Sequence, residues 1–272
     1  MGDDQVKKRI FSSIIFDITH MDMYLMWVYF HYLTDKIISY LKSYPDLSSE
    51  SFFWRRKYHE HRINRPNEIP YPRGNITKRS ITYALNEIKK KYSETILCLD
   101  CGCGPSSQFF TNDFIKRSDI KIITVDPLAD VYKELDRKYQ TGYDLVCIPG
   151  YGERLDELFP EDFFHLVYSQ NAIDHSQNPK KVIEMLYYVL KPNGYLILHG
   201  FIKEGSAANW LGLHKWDIET RDGHLLLSNR NGQIKKLNLT SQLNLKVHCK
   251  SIEGQKIGDR YTIIYEKIEG YR

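Results

Sequence analysis

The chain has 272 residues, 42% hydrophobic and 26% charged, which is ordinary for a soluble globular protein of one large domain or one domain with additions. A formal net charge of +4 is mild for a dedicated nucleic-acid binder. Five cysteines are too few for a disulfide framework in a chain this long, and the crowding of Cys98, Cys101 and Cys103 suits a reducing, cytoplasmic compartment.

The first residues lack a basic segment followed by an apolar run, so no secretory leader is expected. Residues 6–42 read as helices in which Met23, Met26, Trp27, Phe30 and Leu33 recur at helical spacing as one stripe. This stretch is shorter than a bilayer span, and Asp22, His31 and Asp35 flank or interrupt it, so no membrane span is expected. The stripe packs either on the core domain or on a second copy, the latter giving a homodimer through the N-terminal helices.

Aromatic and cationic residues interleave next. Arg55 to Arg79 holds eight basic residues against two acidic ones. Tyr58 and Arg62 lie four apart and share a helix face, while Pro66, Pro70 and Pro72 keep the chain extended past Arg73. The stretch reads either as a lid that meets an acceptor or as a solvated basic face.

Thr77–Lys91 reads as a helix, and from there short apolar runs alternate with helical stretches. Strands are expected at 96–99, 120–125, 143–148, 164–168 and 195–200, with helices at 108–116, 131–139 and 179–190. Such alternation predicts an α/β, doubly wound, mostly parallel sheet. Asp222-Gly223 and Asn231-Gly232 are hairpin signals between strands at 216–220, 224–228 and 233–237, a β insertion after the fifth strand. Residues 245–251 and 261–268 read as two closing strands.

The first strand ends in Asp100-x-Gly102-x-Gly104-x-Ser106, followed by Ser107 at a helix opening. Glycines allow positive φ and close backbone approach to a ligand, and a strand, glycine turn and helix start together make a nucleotide-ligand site. Asp126-Pro127 ends the second strand. Gly150-Tyr151-Gly152-Glu153-Arg154-Leu155 follows the third, Ser169-Gln-Asn171-Ala-Ile-Asp174-His175 ends the fourth, and Leu190-Lys-Pro-Asn-Gly194 leads into the fifth.

In this order the motifs resemble those of the class I S-adenosylmethionine-dependent methyltransferases, of the type 11 kind, over roughly residues 77–200. Ser106 stands where that family has its third glycine, and Tyr151 where it has an aspartate. The resemblance implies a Rossmann-like seven-stranded sheet whose last strand is antiparallel, and S-adenosylmethionine as cofactor. It implies contacts from Asp100, Gly102 and Gly104 in the glycine turn, and from Asp126 and Pro127, with Asp126 on the ribose hydroxyls. Tyr151, Gly152 and Glu153 would border the base, although Glu153 serves equally well at a helix start. Ser169 and Asn171 would run under the methionine part. The implied organisation is an N-terminal helical region and lid at 1–76, a cofactor core at 77–204, a cap at 205–239 and the last two strands at 240–272.

A hydroxyl acceptor must lose a proton, and histidine is the usual base. The candidates are His175, placed first, then His214, with His199 less favoured; Asp174 would orient a neighbouring histidine. Metal is disfavoured, because Asp174 has no acidic companion after the fifth strand. A Cys98/Cys101/Cys103 metal site is also disfavoured, since strand side chains alternate faces and no histidine is near. Trp210 and Trp216 in the cap suit a sugar ring, and the arginines suit an anion. The expectation is methylation, at oxygen, of a small polar, sugar-like or anionic acceptor. The rivals are an RNA or protein methyltransferase, disfavoured for want of a recognised RNA-binding module, and a non-catalytic protein that binds the nucleoside ligand.

Overall fold

The structure, a computed structural model, describes residues 47–64, 76–107, 109, 114, 117–139, 147–210, 212–221, 224–232, 234–237, 243, 245–252, 257 and 259–269. The expected N-terminal stripe with its homodimer contact, Arg73, the Asp222-Gly223 turn and most of the 108–116 helix lie outside the described residues. The chain divides into two compact units, Met1–Pro66 and Asn67–Arg272. Of the first, helix α1 (Leu47–Asn64) is described. It carries Tyr58, which is buried, and an Arg56–Glu60 ion pair one turn apart.

The second unit is built on a 7-stranded sheet in the order β3-β2-β1-β4-β5-β10-β9. Its strands are β1 (Ile96–Cys101), β2 (Ile120–Asp126), β3 (Cys147–Pro149), β4 (Phe164–Gln170), β5 (Leu190–Phe201), β9 (Leu245–Ile252) and β10 (Arg260–Lys267). β1 to β5 run parallel, while β10 is antiparallel to both β5 and β9. Helices α2 (Ile76–Lys89), α3 (Ala129–Tyr139) and α4 (Pro179–Tyr188) are the described helices that alternate with these strands.

Both faces of this sheet are covered, which is why its strands read as near-continuous apolar runs rather than alternating ones. Side chains still alternate in direction along each strand. Cys98, Leu166, Tyr168, Ile197 and Ile264 fall in one cluster with Ile81, Ala84, Leu85 and Ile88 of α2, residues spaced to form one helix face. Leu99, Val167, Leu196, Leu198 and Ile263 fall in the other, with Val182, Ile183 and Leu186 of α4. Each fully buried Leu or Ile of this kind stabilises the fold by about 1.5–3 kcal/mol. α4 starts where Asn178 caps it, its side chain accepting from Lys181 N at 3.3 Å, with Pro179 following at the first helical position.

The fifth strand differs from expectation. It begins at Leu190 instead of Tyr195 and runs through the Lys-Pro-Asn-Gly segment. Asn193 takes φ 59°, and a Cβ on Gly194 would lie 2.8 Å from the Lys191 carbonyl oxygen and 2.9 Å from that of His165. Only glycine fits there, so the expected turn is a kink absorbed within the strand.

After β5 come a short helix α5 (Glu204–Ala207) and a separate 3-stranded antiparallel sheet of β6 (Trp216–Arg221), β7 (His224–Asn229) and β8 (Ile234–Leu237). This is the expected insertion. Trp216, Ile218, Leu225, Leu227 and Leu237 join the same apolar cluster as α4, which fixes the insertion to the main sheet. Its second turn closes with Gly232 N donating to Asn229 O at 2.9 Å and Gly232 at φ 72°.

Candidate functional site

The carboxyl ends of β1, β2, β4 and β5 bring the motifs together, as expected of an open α/β sheet. β1 delivers Asp100, buried, whose Oδ2 accepts from the Ser107 hydroxyl at 2.6 Å. Ser107 Oγ in turn accepts from Phe109 N at 3.2 Å. The loop between them carries Gly102 at φ 72° and Gly104 at φ 62°. Both values lie where an L-residue is strained, which explains the alternate glycines. Gly102 N donates to Val125 O at 2.8 Å, and Gly104 N donates to Asp126 Oδ2 at 3.0 Å. The loop is therefore tied to the end of β2.

Asp126 is buried, and its Oδ1 accepts from Leu128 N at 2.8 Å across Pro127, which is half-buried. Each carboxylate oxygen thus accepts from a backbone N–H. Beneath, Cys103 and Cys147 place their sulfurs 3.5 Å apart, and burial pushes the Cys103 thiol up.

Tyr151 is half-buried ahead of the short 3-10 helix Gly152–Glu157. A Cβ on Gly152 would sit 3.1 Å from Val182 and 3.4 Å from Cys101 Sγ. Glu153 Oε1 accepts from Gln177 N at 2.9 Å and Asn178 N at 3.3 Å. Its described bonds thus run to the segment leading into α4, which supports the structural alternative for this residue over a place beside a base.

At the end of β4, Ser169 Oγ and Asn171 Oδ1 are buried with no hydrogen-bond partner among the described residues. Asn171 stands at φ 47°, and its N–H donates to His199 O at 3.0 Å. Leaving a buried polar atom unpaired costs about 1–3 kcal/mol, so each of these two atoms calls for a partner.

Three residues past Asn171, a polar cluster forms. Asp174 is buried, and its Oδ2 lies 2.8 Å from His214 Nδ1 and 3.4 Å from His175 Nε2. The two histidine nitrogens are 3.1 Å apart. Glu204 Oε1 is 3.9 Å from His214 Nδ1. Burial first, then the nearby Asp174 charge, pushes the Glu204 carboxyl up to about 7.

One backbone bond and one side-chain bond pin the His214 loop to this strand end. Lys215 N donates to Asp174 O at 3.1 Å, and Trp216 Nε1 donates to Ser176 O at 3.0 Å. His214 is 30% exposed, and its described contacts all fall on Nδ1, apart from a ring contact with His175, so Nε2 is open.

Several sequence expectations change here. The argument against metal rested on the lack of an acidic residue after the fifth strand, yet Glu204 follows β5 and reaches the Asp174 cluster. Its place three residues past a strand end was the signal available in the sequence. Trp216 offers no ring face to an acceptor, because it is 7% exposed and packed in the apolar core. Trp210 stands at φ 57° with its ring against Gly205, where a Cβ would meet it at 2.7 Å. His199 lies buried with Nδ1 2.7 Å from Thr262 Oγ1. Tyr58 lies in the first unit, and the Arg62 side chain is outside the described residues.

Residues 99–198 match the family model described as a methyltransferase domain. Among curated proteins, the thiol S-methyltransferase TMT1B of Rattus norvegicus is 28% identical over 144 residues, 51% of this chain and 56% of that protein. The chain thus spans little more than half the length of that relative. Among solved structures, a SAM-dependent methyltransferase from Aquifex aeolicus is similar with a TM-score of 0.42 and 14% identity, covering 69% of this chain and 89% of that one. An S-adenosylmethionine-dependent methyltransferase from Clostridium acetobutylicum gives a TM-score of 0.45 and 13% identity, covering 80% and 99%.

Proposed function

Because the chain belongs to the class I S-adenosylmethionine-dependent methyltransferases, we propose that it methylates an oxygen of a small polar acceptor, sugar-like or anionic. The observation that carries this reading is the run from Ser169 to His175. It passes from two unpartnered buried polar atoms to a carboxylate–histidine cluster within one strand end. The cofactor supplies an electrophilic methyl group on a sulfonium.

We assign its binding to this chain's own residues as follows. Gly102 and Gly104 bare the backbone of the turn, with Asp100 holding that turn through Ser107. The Asp126 carboxylate at the end of β2 accepts a vicinal diol, each charged bond adding about 1.5–3 kcal/mol. Tyr151 and Gly152 border the base. Ser169 and Asn171 meet the polar end of the ligand that relieves their unpaired atoms.

The proton of the acceptor goes to His214. Asp174 Oδ2 accepts from His214 Nδ1–H, which leaves Nε2 with the lone pair and fixes the tautomer. His175, placed first in the sequence reading, turns Nε2 into the cluster and so serves as a positioning residue. The β6–β8 insertion caps the site.

A thiol acceptor is the second reading, favoured by the curated relative named as a thiol S-methyltransferase. A panel of hydroxyl, carboxylate and thiol compounds, assayed for S-adenosylhomocysteine release, tests the choice. Turnover with hydroxyl or carboxylate compounds alone supports the first reading, and turnover confined to thiols overturns it. Cofactor binding without turnover on any acceptor would favour a non-catalytic role.

A further inference from the structure

We propose that Asp174, His175 and His214 form a binding site for one divalent transition-metal ion of the zinc class. Their ligand atoms make a triangle with sides of 2.8, 3.1 and 3.4 Å: Asp174 Oδ2 to His214 Nδ1, His214 Nδ1 to His175 Nε2, and His175 Nε2 to Asp174 Oδ2. An ion held about 2.0–2.1 Å from each ligand at tetrahedral or octahedral angles puts neighbouring ligand atoms about 2.8–3.4 Å apart. A single point can therefore lie at bonding distance from all three. The three residues come together as a possible metal-ligand group in the structure itself.

Hydrogen bonding alone accounts poorly for the same contacts. His214 Nδ1 faces both the carboxylate oxygen and the other imidazole nitrogen, but it carries at most one proton and donates it once. With that proton given to Asp174, the 3.1 Å contact to His175 needs its proton from His175 Nε2, which then has to reach a nitrogen without a free lone pair. A cation in the middle satisfies all three atoms at once.

The support around the triangle is that of a held site. Lys215 N and Trp216 Nε1 bind Asp174 O and Ser176 O, which locks the loop bearing one histidine to the turn bearing the other two ligands. Glu204 Oε1, 3.9 Å from His214 Nδ1, stands where a fourth ligand reaches with a side-chain rotation. Two borderline imidazole donors beside one hard carboxylate suit zinc, cobalt or ferrous iron over magnesium or calcium.

The inference does not rest on the methyl-transfer reading, and it competes with one part of it. An ion on His214 Nδ1 obliges Nε2 to carry the ring proton, so the loaded site accepts no proton from an acceptor.

Cobalt(II) titration of the full chain, read by its visible ligand-field absorption, is the test. One cobalt per chain, displaced by one zinc, is expected. Affinity should fall by about 100-fold or more in each of Asp174→Asn, His175→Ala and His214→Ala. Circular dichroism and S-adenosylmethionine affinity serve as folding controls. Should one variant misfold, the wild-type cobalt spectrum and its stoichiometry still decide. No stoichiometric binding by the wild type, or wild-type affinity in the folded histidine variants, overturns the site. Turnover measured with and without a chelator keeps the two claims apart: the metal site stands or falls on the cobalt titration, and the base assignment on whether the metal-free protein still needs His214.

Discussion

Gly102 and Ala172 meet across the carboxyl edge of the sheet so closely that a Cβ on the glycine would lie 2.2 Å from the alanine Cβ. The glycine turn after β1 is thus seated directly on the loop after β4. Gly102→Ala should both strain a residue at φ 72° and push these loops apart, at about 2–4 kcal/mol. Chemical denaturation should show that loss, and calorimetry a weakened cofactor. A variant with wild-type stability and affinity would separate this contact from the site.

Asp126→Ala should weaken S-adenosylmethionine by about ten-fold or more, from charged hydrogen bonds worth about 1.5–3 kcal/mol. It also removes the acceptor of Gly104 N and Leu128 N, so a folding control by circular dichroism is required. Unchanged affinity in a folded variant would sink the assignment.

Ser169→Ala gives a sharper test of the cofactor cradle. The hydroxyl has no partner among the described residues, so its loss should leave the ligand-free protein as stable as before or stabilise it by about 1 kcal/mol. Cofactor affinity should nevertheless fall. A stability loss with unchanged affinity would show the hydroxyl to be structural.

Much of this arrangement is legible in the chain. Glycines at alternate positions after an apolar run announced a positive-φ turn, and the alternation from Ile96 to Gly200 announced the parallel sheet. Both rest on local chemistry. What escaped notice depends on pairing at long range. Trp216 looks like an exposed platform next to His214, yet the insertion folds its ring into the core. Glu204 was unremarked because nothing local joins it to Asp174, thirty positions earlier. The order of the two histidines turned on which ring nitrogen faces the carboxylate, which no spacing encodes.

His214→Ala should lower turnover by roughly 10²–10⁴ while sparing cofactor affinity. His175→Ala should cost less, since its Nε2 faces the cluster. Steady-state rates of both variants check this. A larger loss for His175→Ala would return the base assignment to that residue.

His199 gives a pH-dependent prediction away from the site. Burial first, then the Arg260 charge, lowers it from 6.5 to about 4. Between those values the unfolded chain binds a proton that the folded chain does not, so stability should fall as pH drops from about 6.5 to about 4 and then level off. The loss is roughly 3 kcal/mol. His199→Gln should flatten that part of the profile in urea denaturation, and an unchanged slope would show that other groups cause it.

Transfer of a methyl group to a small molecule is measured directly by mass spectrometry of a small-molecule extract incubated with the purified full chain and methyl-deuterated S-adenosylmethionine. The predicted result is one or a few metabolites that gain a single labelled methyl group, with S-adenosylhomocysteine formed in equal amount and both reduced with Asp126→Ala at sub-saturating cofactor. A folded protein that binds the cofactor yet labels no small molecule, or one that labels RNA or protein instead, would contradict it.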